Sequence, residues 1–200
     1  MNKITFNQYR NIDLFLFSAM LAVSEAITTI ATNTWFAAQP IAISTTLIFI
    51  CMVMMRWGGY AAISACLGGV VFCIASRASM EQYLIYGLGN CASLSAMLWF
   101  KFYKKDEVRK DGFKLFFFVL TAYLTMQIGR WLLSLPFVAR LDTLIVYLTT
   151  DIISLLFATV VMFLMRNTDG MIEDQKAYLF RLQREQEEKG DGIGGYGTDE

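Results

Sequence analysis

RWGGYAAISACLGGVVFC, which spans residues 56–73, shows most clearly what kind of protein this is. After the first two residues the stretch is apolar and consists largely of small side chains. Glycine costs a helix in water about 1 kcal/mol relative to alanine, so two Gly-Gly pairs ten residues apart disfavour a soluble helix. In lipid, small residues let helix backbones approach closely, and close packing associates helices there. The stretch therefore indicates a membrane helix.

The whole chain has a matching composition. Of its 200 residues, 56% are hydrophobic and 17% are charged. The apolar residues gather in blocks of about 20, the length that crosses a bilayer core of about 30 Å, and a segment in lipid must satisfy its own backbone polar groups, as a helix does. A soluble helical core would show polar stripes at helical period, which these blocks mostly lack. We predict an all-α integral membrane protein with six transmembrane helices, at 13–32, 41–56, 58–76, 80–102, 113–135 and 140–166.

Lysines and arginines predict the orientation of these helices, because cytoplasmic loops of membrane proteins carry an excess of them. With the N-terminus inside, all 17 except Arg77, Arg130 and Arg140 fall on the cytoplasmic side. Six of them lie between residues 101 and 114, in one predicted loop and at the helix ends beside it. We expect a multi-pass protein of the cell membrane with both termini in the cytoplasm.

The C-terminal part of the chain differs from residues 1–166, which form the predicted transmembrane domain. Within 167–189, apolar residues lie among charges, which predicts a short cytoplasmic amphipathic helix that rests on the membrane surface or on a partner. Residues 190–200, GDGIGGYGTDE, are acidic and glycine-rich and predict a disordered tail. They do not form a phosphate-binding loop, since no Gly-Lys-Ser/Thr follows.

Several kinds of chemistry lack their usual residues. The chain contains no histidine, which removes Ser-His and Cys-His nucleophile pairs and histidine zinc sites. Cys51, Cys66, Cys73 and Cys91 lie inside apolar blocks without metal-site spacing, and we interpret them as inert, buried thiols. We therefore expect no enzymatic activity, no catalytic residue, no bound metal, no cofactor and no nucleic-acid partner.

Polar groups inside apolar blocks are the candidates for a binding site, because they are costly in a membrane and are therefore kept for a function. Four stand out: Glu25, Asn90, Arg130 and Asp151, with Gln127 close to Arg130. At about 1.5 Å per residue, Asn90 and Asp151 fall near the midplane. Glu25 and Arg130 fall toward the outside, so the group gathers in the outer half of the membrane.

Helical phase adds aromatic residues to these polar groups. Tyr83 and Tyr86 share a face with Asn90, while Tyr147 shares one with Asp151. Trp35 lies in the predicted outer loop 33–40, where it is placed to close over a ligand. Aromatic planes with a few fixed polar groups are the usual lining of a small-molecule pocket. The predicted substrate-binding residues are Glu25, Trp35, Tyr83, Tyr86, Asn90, Gln127, Arg130, Tyr147 and Asp151.

Plainer interpretations of the same residues stay open. Arg130 with Asp151 or Glu25 would form an internal ion pair, since a lone charge in hydrocarbon costs several kcal/mol. The tyrosines and the tryptophans near the block ends, Trp35 among them, would form an aromatic belt at the membrane interface.

Small residues four apart form two flat helix faces. One consists of Ala61, Ala65 and Gly69, and the other of Ser18, Ala22 and Ala26. Such faces pack helices against each other, either inside this protein or against another subunit.

Over about residues 10–166 the chain resembles the substrate-binding S components of energy-coupling factor (ECF) transporters. The resemblance rests on the six-helix length and on three segments: AVSEA at 22–26, MMRWGGYAAISACLGGVV at 54–71 and YLIYGLGN at 83–90. It implies a protein without its own motor, which takes a small water-soluble vitamin or precursor from outside. Partners implied by the resemblance are a membrane coupling subunit and two ABC-type ATPases, with Ser18, Ala22 and Ala26 as the partner-coupling face.

Two other functions are compatible with the residues. A non-transporting assembly or scaffold protein would use the small-residue faces alone and would tolerate neutral replacement of Asn90 or Gln127. A solitary proton-coupled transporter would use Glu25 or Asp151, although no internal repeat supports alternating access.

Overall fold

The computed structural model describes residues 6–38, 41–137, 140–168, 170–175, 177, 178, 180, 181 and 184. All regular secondary structure in these residues is helical, in agreement with the all-α prediction. The α-helices are α1 Phe6–Trp35, α2 Thr46–Trp57, α3 Ala61–Ser76, α4 Met80–Gly89, α5 Trp99–Phe102, α6 Lys105–Lys110, α7 Gly112–Ser134, α8 Leu141–Thr150 and α9 Ile152–Met165. Two 3-10 segments, Gly58–Tyr60 and Asn90–Leu98, join α2 to α3 and α4 to α5.

Several of these helices are suited to a membrane. Within the described residues, three stretches are long and apolar enough to cross one: Phe6–Trp35, Thr46–Ser76 and Gly112–Ser134. The pair α8 and α9, bent by 44° where it breaks, would make a fourth. The structure thus has three to four candidate spans, and the six predicted spans and their orientation stay predictions.

The stretch Thr46–Ser76 reverses direction at Gly58, whose φ of +64° lies in the left-handed region that glycine adopts without steric cost. A Cβ atom on Gly68 would lie 2.9 Å from Cβ of Thr46. These two residues would be about 33 Å apart in one straight helix, at 1.5 Å per residue. Helices α2 and α3 are therefore an antiparallel hairpin.

Glycines mark the next two helix contacts as well. A Cβ on Gly69 of α3 would lie 2.7 Å from the backbone nitrogen of Gly87 in α4. A Cβ on Gly89 would lie 2.8 Å from Cα of Arg130 in α7. Close backbone contacts of this kind are what small residues permit in membrane helices, and they bring α4 between α3 and α7.

Helix α2 lies at the centre of the bundle, because all of its residues are buried. It begins at Thr46, later than the predicted start at residue 41. Residues 41–44 have no regular secondary structure. The backbone amides of Ala42 and Ser44 donate hydrogen bonds to the carbonyl of Thr150 and to Oγ of Ser154, so this segment is attached to α8 and α9.

Two further boundaries differ from the prediction. Helix α1 continues to Trp35, so the start of the predicted outer loop 33–40 is helical. The sixth predicted helix, 140–166, is broken at Asp151, which has φ −102° and ψ 11°. Neither proline nor glycine marks this break in the sequence.

The segment after α9 folds back onto the helices. Residues 166–168 and 170–173 form turns and bends, and helical backbone is present at the described positions from Gln175 to Arg184. The predicted amphipathic helix therefore begins later than residue 167, and its end at 189 and the tail 190–200 lie outside the described residues. Ile172 and Gln175 are buried, so this segment packs on the bundle and does not simply lie on the membrane surface.

Candidate functional site

A buried network of four polar side chains centres on Arg130 of α7. Its Nε donates to Oδ1 of Asn90 at 2.7 Å, and its Nη1 donates to Oε1 of Gln127 at 3.1 Å and to Oδ2 of Asp151 at 2.8 Å. Each of the four residues is at most 4% exposed. The ion pair that one interpretation expected is present between Arg130 and Asp151. It is satisfied by hydrogen bonds on both sides, as a buried pair must be.

Asp151 connects this network to the centre of the bundle. Its second oxygen, Oδ1, accepts a hydrogen bond from the hydroxyl of Ser154. The same hydroxyl accepts from the backbone N–H of Ser44 at 2.8 Å. Because Asp151 stands where α8 ends and α9 begins, the break in the helix places both carboxylate oxygens between neighbouring helices.

Aromatic rings cover one side of the network. The guanidinium carbon of Arg130 lies 4.7 Å from the ring centre of Tyr86, within the range of a cation–π contact. Tyr86 also contacts Phe72 at 4.7 Å and Tyr147 at 6.3 Å between ring centres. The charged network is therefore walled by three aromatic side chains from α3, α4 and α8.

A small cavity lies between the aromatic rings and the polar network. Its volume of about 20 Å³ is enough for about one water molecule, whereas sites for drug-sized ligands measure about 300–1,000 Å³. The described state is thus closed around the site, and a larger molecule enters only if the wall moves. The cavity is lined by Ala42, Ser44, Thr46, Gly68, Phe72, Tyr86, Asn90, Arg130, Tyr147, Thr150 and Asp151.

Chemically, this arrangement offers both hydrogen-bond donors and acceptors without net charge. Arg130 carries five N–H donors, and its Nη2 lies 3.7 Å from Sδ of Met126, a weak acceptor. The hydroxyl of Thr46 is buried and has no hydrogen-bond partner among the described residues. The site can therefore donate and accept hydrogen bonds beside the aromatic ring of Tyr86.

Five of the predicted substrate-binding residues line the cavity: Tyr86, Asn90, Arg130, Tyr147 and Asp151. Gln127 lies directly behind them, where its Nε2 donates to Oδ2 of Asp151 at 3.0 Å. The side-chain amide of Gln127 thus orients the ion pair from the protein side.

Glu25 has a different position from the one predicted. Its Oε2 accepts hydrogen bonds from the backbone N–H groups of Thr45 and Thr46, at 2.7 and 2.9 Å, and from the hydroxyl of Thr45. A carboxylate at these groups caps the first turn of α2 and interacts favourably with its dipole. Glu25 is absent from the cavity lining found in the described residues, so we assign it to the attachment of α2 to α1.

We expect Glu25→Gln to lower stability by about 1 kcal/mol, because an amide oxygen still accepts these bonds but a neutral acceptor is roughly half as strong. Retention of a small molecule by the purified protein should be unchanged. Chemical unfolding in mixed micelles measures the first quantity, and mass spectrometry of the intact protein measures the second. Loss of the bound molecule from a fully stable Glu25→Gln variant would contradict the structural role.

Two predicted residues, Trp35 and Tyr83, lie away from the site. Trp35 is 78% exposed at the end of α1, which fits the interfacial-belt interpretation better than closure over a ligand. Tyr83 is half-buried on α4. Neither one contributes to the cavity wall in the part of the chain that the structure describes.

The predicted coupling face borders an open groove between α1 and α3. Ala22 and Ala26 line this groove, whose volume is about 810 Å³, together with Val71, Ile74 and Ala75 of α3. Ser18 is half-buried one turn earlier on α1.

Sequence reasoning missed two hydroxyl groups of the site, those of Ser44 and Thr46, which line the cavity. Ser154, on the same helix face as Asp151, accepts from the backbone N–H of Ser44. A serine or threonine inside an apolar block can satisfy its hydroxyl on its own helix, so its presence gives no signal. The pairing of Ser44 with Ser154 depends on the non-helical segment 41–44, which the sequence did not reveal.

No protein-family model, curated protein or solved structure matches this chain. Among the described residues, no group of three or more His, Cys, Asp or Glu side chains is arranged to hold a metal ion. The functional case therefore rests on the geometry of the Arg130 network and its cavity.

Proposed function

We propose that this protein is the membrane-embedded substrate-capture component of an ECF-type transporter. It binds a small water-soluble vitamin or precursor from outside and delivers it through an ATP-driven coupling module. The observation that carries the proposal is the cavity formed by Arg130, Asp151 and Asn90 beneath the ring of Tyr86. Costly polar groups gathered around one cavity in apolar helices are typical of a substrate site.

The proposal includes six spans with both termini in the cytoplasm. Its support is the antiparallel order of α2, α3, α4 and α7 at their glycine contacts, together with the lysines and arginines of residues 101–114. Helix α2 has 12 residues, about 18 Å at 1.5 Å per residue, and is shorter than the bilayer core. Because it is buried on every side, its ends meet protein groups and not lipid.

The groove beside Ala22 and Ala26 is where we place the membrane coupling subunit. Its borders carry exposed apolar side chains, including Val23, Ile27 and Ile74, each more than 60% exposed. Small residues in the floor of a groove allow a partner helix to approach closely. Two ABC-type ATPases would then drive the coupling subunit.

Native mass spectrometry of the protein, released from mild detergent, tests the capture role. We expect a retained molecule of a few hundred daltons, or its appearance after incubation with a panel of water-soluble vitamins, because a ligand enclosed by helices leaves slowly. An apo mass that no panel member changes would favour the assembly-protein alternative. Uptake into vesicles by this chain alone would favour the proton-coupled carrier.

Ala22→Leu separates coupling from binding. A leucine at this position projects into the groove between α1 and α3 and keeps a partner helix from approaching closely, so we expect about a tenfold loss of co-purification with the coupling module and unchanged ligand retention. Val160→Leu is the matched control, because Val160 is an exposed apolar residue on another helix, α9. If Ala22→Leu assembles as well as Val160→Leu does, the groove is not the coupling face.

A further inference from the structure

Helix α2 is held at its N-terminal end by groups that belong to the candidate site. The backbone N–H of Ser44 reaches Asp151 through the hydroxyl of Ser154, and Thr45 and Thr46 are held by Glu25. Ser44 and Thr46 also line the cavity. Any change that widens the cavity on this side therefore shifts the start of α2.

The C-terminal end of α2 is held equally firmly by different groups. Arg56 donates from Nε and Nη2 to the two oxygens of Asp13 on α1, at 2.9 and 2.7 Å. Its Nη1 donates to the backbone carbonyls of Gly170 and Met171. The indole N–H of Trp57 donates to the same Asp13 carboxylate. A single arginine thus ties α2 both to α1 and to the segment that follows α9.

The segment 170–175 is docked at this end of the bundle. Ile172 and Gln175 are each 1% exposed, and Glu173 is 8% exposed. Gln175 accepts from the hydroxyl of Tyr9 at 3.2 Å, and Glu173 pairs with Arg109 of α6 at 3.9 Å. The segment is thus bound to α1 by a hydrogen bond and to α6 by an ion pair, and Arg56 binds it to α2.

Between its two ends α2 is suited to move as one body. It is one uninterrupted helix that is packed by protein on every side, and close-packed interiors transmit a displacement from one end to the other. Its second half contains Met52, Met54 and Met55, whose flexible side chains repack at low cost. Ten residue steps separate Thr46, at the cavity, from Arg56, which is about 15 Å along the helix.

We propose that α2 couples the cavity to the C-terminal segment, so that a cavity widened for a ligand pulls Arg56 away from Gly170 and Met171 and releases residues 170–175. The width of the cavity would then determine whether residues 170–175, at the opposite end of α2, stay docked. The coupling is reciprocal, since any link between two sites acts with equal free energy in both directions. It deepens the proposed function by assigning a regulated segment to the same site, but its test requires neither ligand nor motor.

Ser154→Ala breaks the attachment at the N-terminal end of α2 and leaves the contacts of Arg56 at its C-terminal end unchanged. The substitution removes the acceptor of the Ser44 amide and one hydrogen bond to Asp151. We expect hydrogen exchange, followed by mass spectrometry on the whole protein, to become about tenfold faster in peptides covering 41–46, which corresponds to the loss of one buried hydrogen bond. Peptides covering 170–178, which contain the bonded amides of Met171 and Tyr178, should exchange several-fold faster as well.

Ser93→Ala is the matched control. Ser93 is 0% exposed and its hydroxyl donates to the carbonyl of Asn90 at 2.6 Å, so its replacement also removes one buried hydrogen bond, but one made within the segment Asn90–Leu98 and not to the chain before α2. We expect exchange of 170–178 in this variant to stay within about twofold of the parent protein, well below the tenfold that one lost bond gives. Equal acceleration by Ser93→Ala, or acceleration at 41–46 alone in Ser154→Ala, overturns the proposal.

Arg56→Lys tests the coupling through α2 from its C-terminal end. It is the test of the proposal if Ser154→Ala does not fold. Lysine keeps the positive charge beside Asp13 but lacks the planar fork that reaches Asp13 and two carbonyls together. By reciprocity, the amides of 41–46 should exchange several-fold faster in this variant. Unchanged exchange at 41–46, with 170–178 released, would show that α2 does not transmit between its ends.

Discussion

Arg130→Met should have a larger effect than any other single side-chain removal in the site, with a loss of about 3–5 kcal/mol of folding free energy and no ligand retained. The guanidinium group satisfies Asn90, Gln127 and Asp151 together. Methionine has a similar length but leaves Oδ1 of Asn90 and Oε1 of Gln127 without this donor, and Asp151 keeps only its bonds from Gln127 and Ser154. Asp151, 4% exposed, would then be a buried carboxylate without its counter-ion.

Much of the stability lost in Arg130→Met comes from the unpaired charge of Asp151, so a variant without that charge serves as the control. Asp151→Asn in the Arg130→Met background removes the uncompensated carboxylate, so the double variant should recover part of the stability that the single variant loses. Ligand retention should stay lost in both, because the donors of Arg130 are absent in both. Unfolding in mixed micelles and native mass spectrometry measure the two properties separately.

Two outcomes would contradict this account. If the single variant keeps the stability of the parent protein, the Arg130–Asp151 pair is not the buried ion pair that the structure describes. If it keeps its ligand with unchanged affinity while Asn90→Ala loses it, the recognition lies on the α4 side of the cavity and not on α7.

The central polar residues of the site could be predicted from the sequence because a polar side chain inside an apolar membrane helix has a high free-energy cost. Asn90, Arg130 and Asp151 are groups that an apolar helix does not tolerate without compensation, and helical phase placed Tyr86 with Asn90. Their common location follows from this: buried polar groups compensate each other. The reasoning needs no knowledge of how the helices are arranged.

Glu25 meets the same criterion, but in the structure it contacts the start of α2 and not the Arg130 network. Its compensation comes from backbone N–H groups of Thr45 and Thr46, and a sequence does not show where a helix will begin. The chain just before α2 is in turn bonded to α9 through Ser44 and Ser154, 110 residues apart. Boundaries set by long-range hydrogen bonds are therefore beyond a local pattern, as the break at Asp151 also shows.

The second large loss of stability is expected for Gly129→Ala, at the contact between α7 and α4. A Cβ on Gly129 of α7 would lie 2.5 Å from the carbonyl oxygen of Gly89 and would also overlap the Cβ of Ala92. Neither atom belongs to a flexible side chain, so α7 and α4 must separate. We expect Gly129→Ala to cost about 3 kcal/mol, at the upper end of overpacking effects, despite a gain of about 1 kcal/mol in helix propensity.

Gly87→Ala separates crowding from propensity. Gly87 lies two residues before Gly89 on the same helix, but a Cβ there meets nothing within 4 Å in the described part of the chain. Its replacement should leave stability equal or raise it by up to about 1 kcal/mol. Because Gly129 precedes Arg130, separating the helices in Gly129→Ala also lengthens the 2.7 Å bond from Arg130 to Asn90, so ligand retention should fall together with stability. Equal stability of the two alanine variants would mean that α4 and α7 are not in backbone contact, and the Arg130–Asn90 bond would then lose its structural basis.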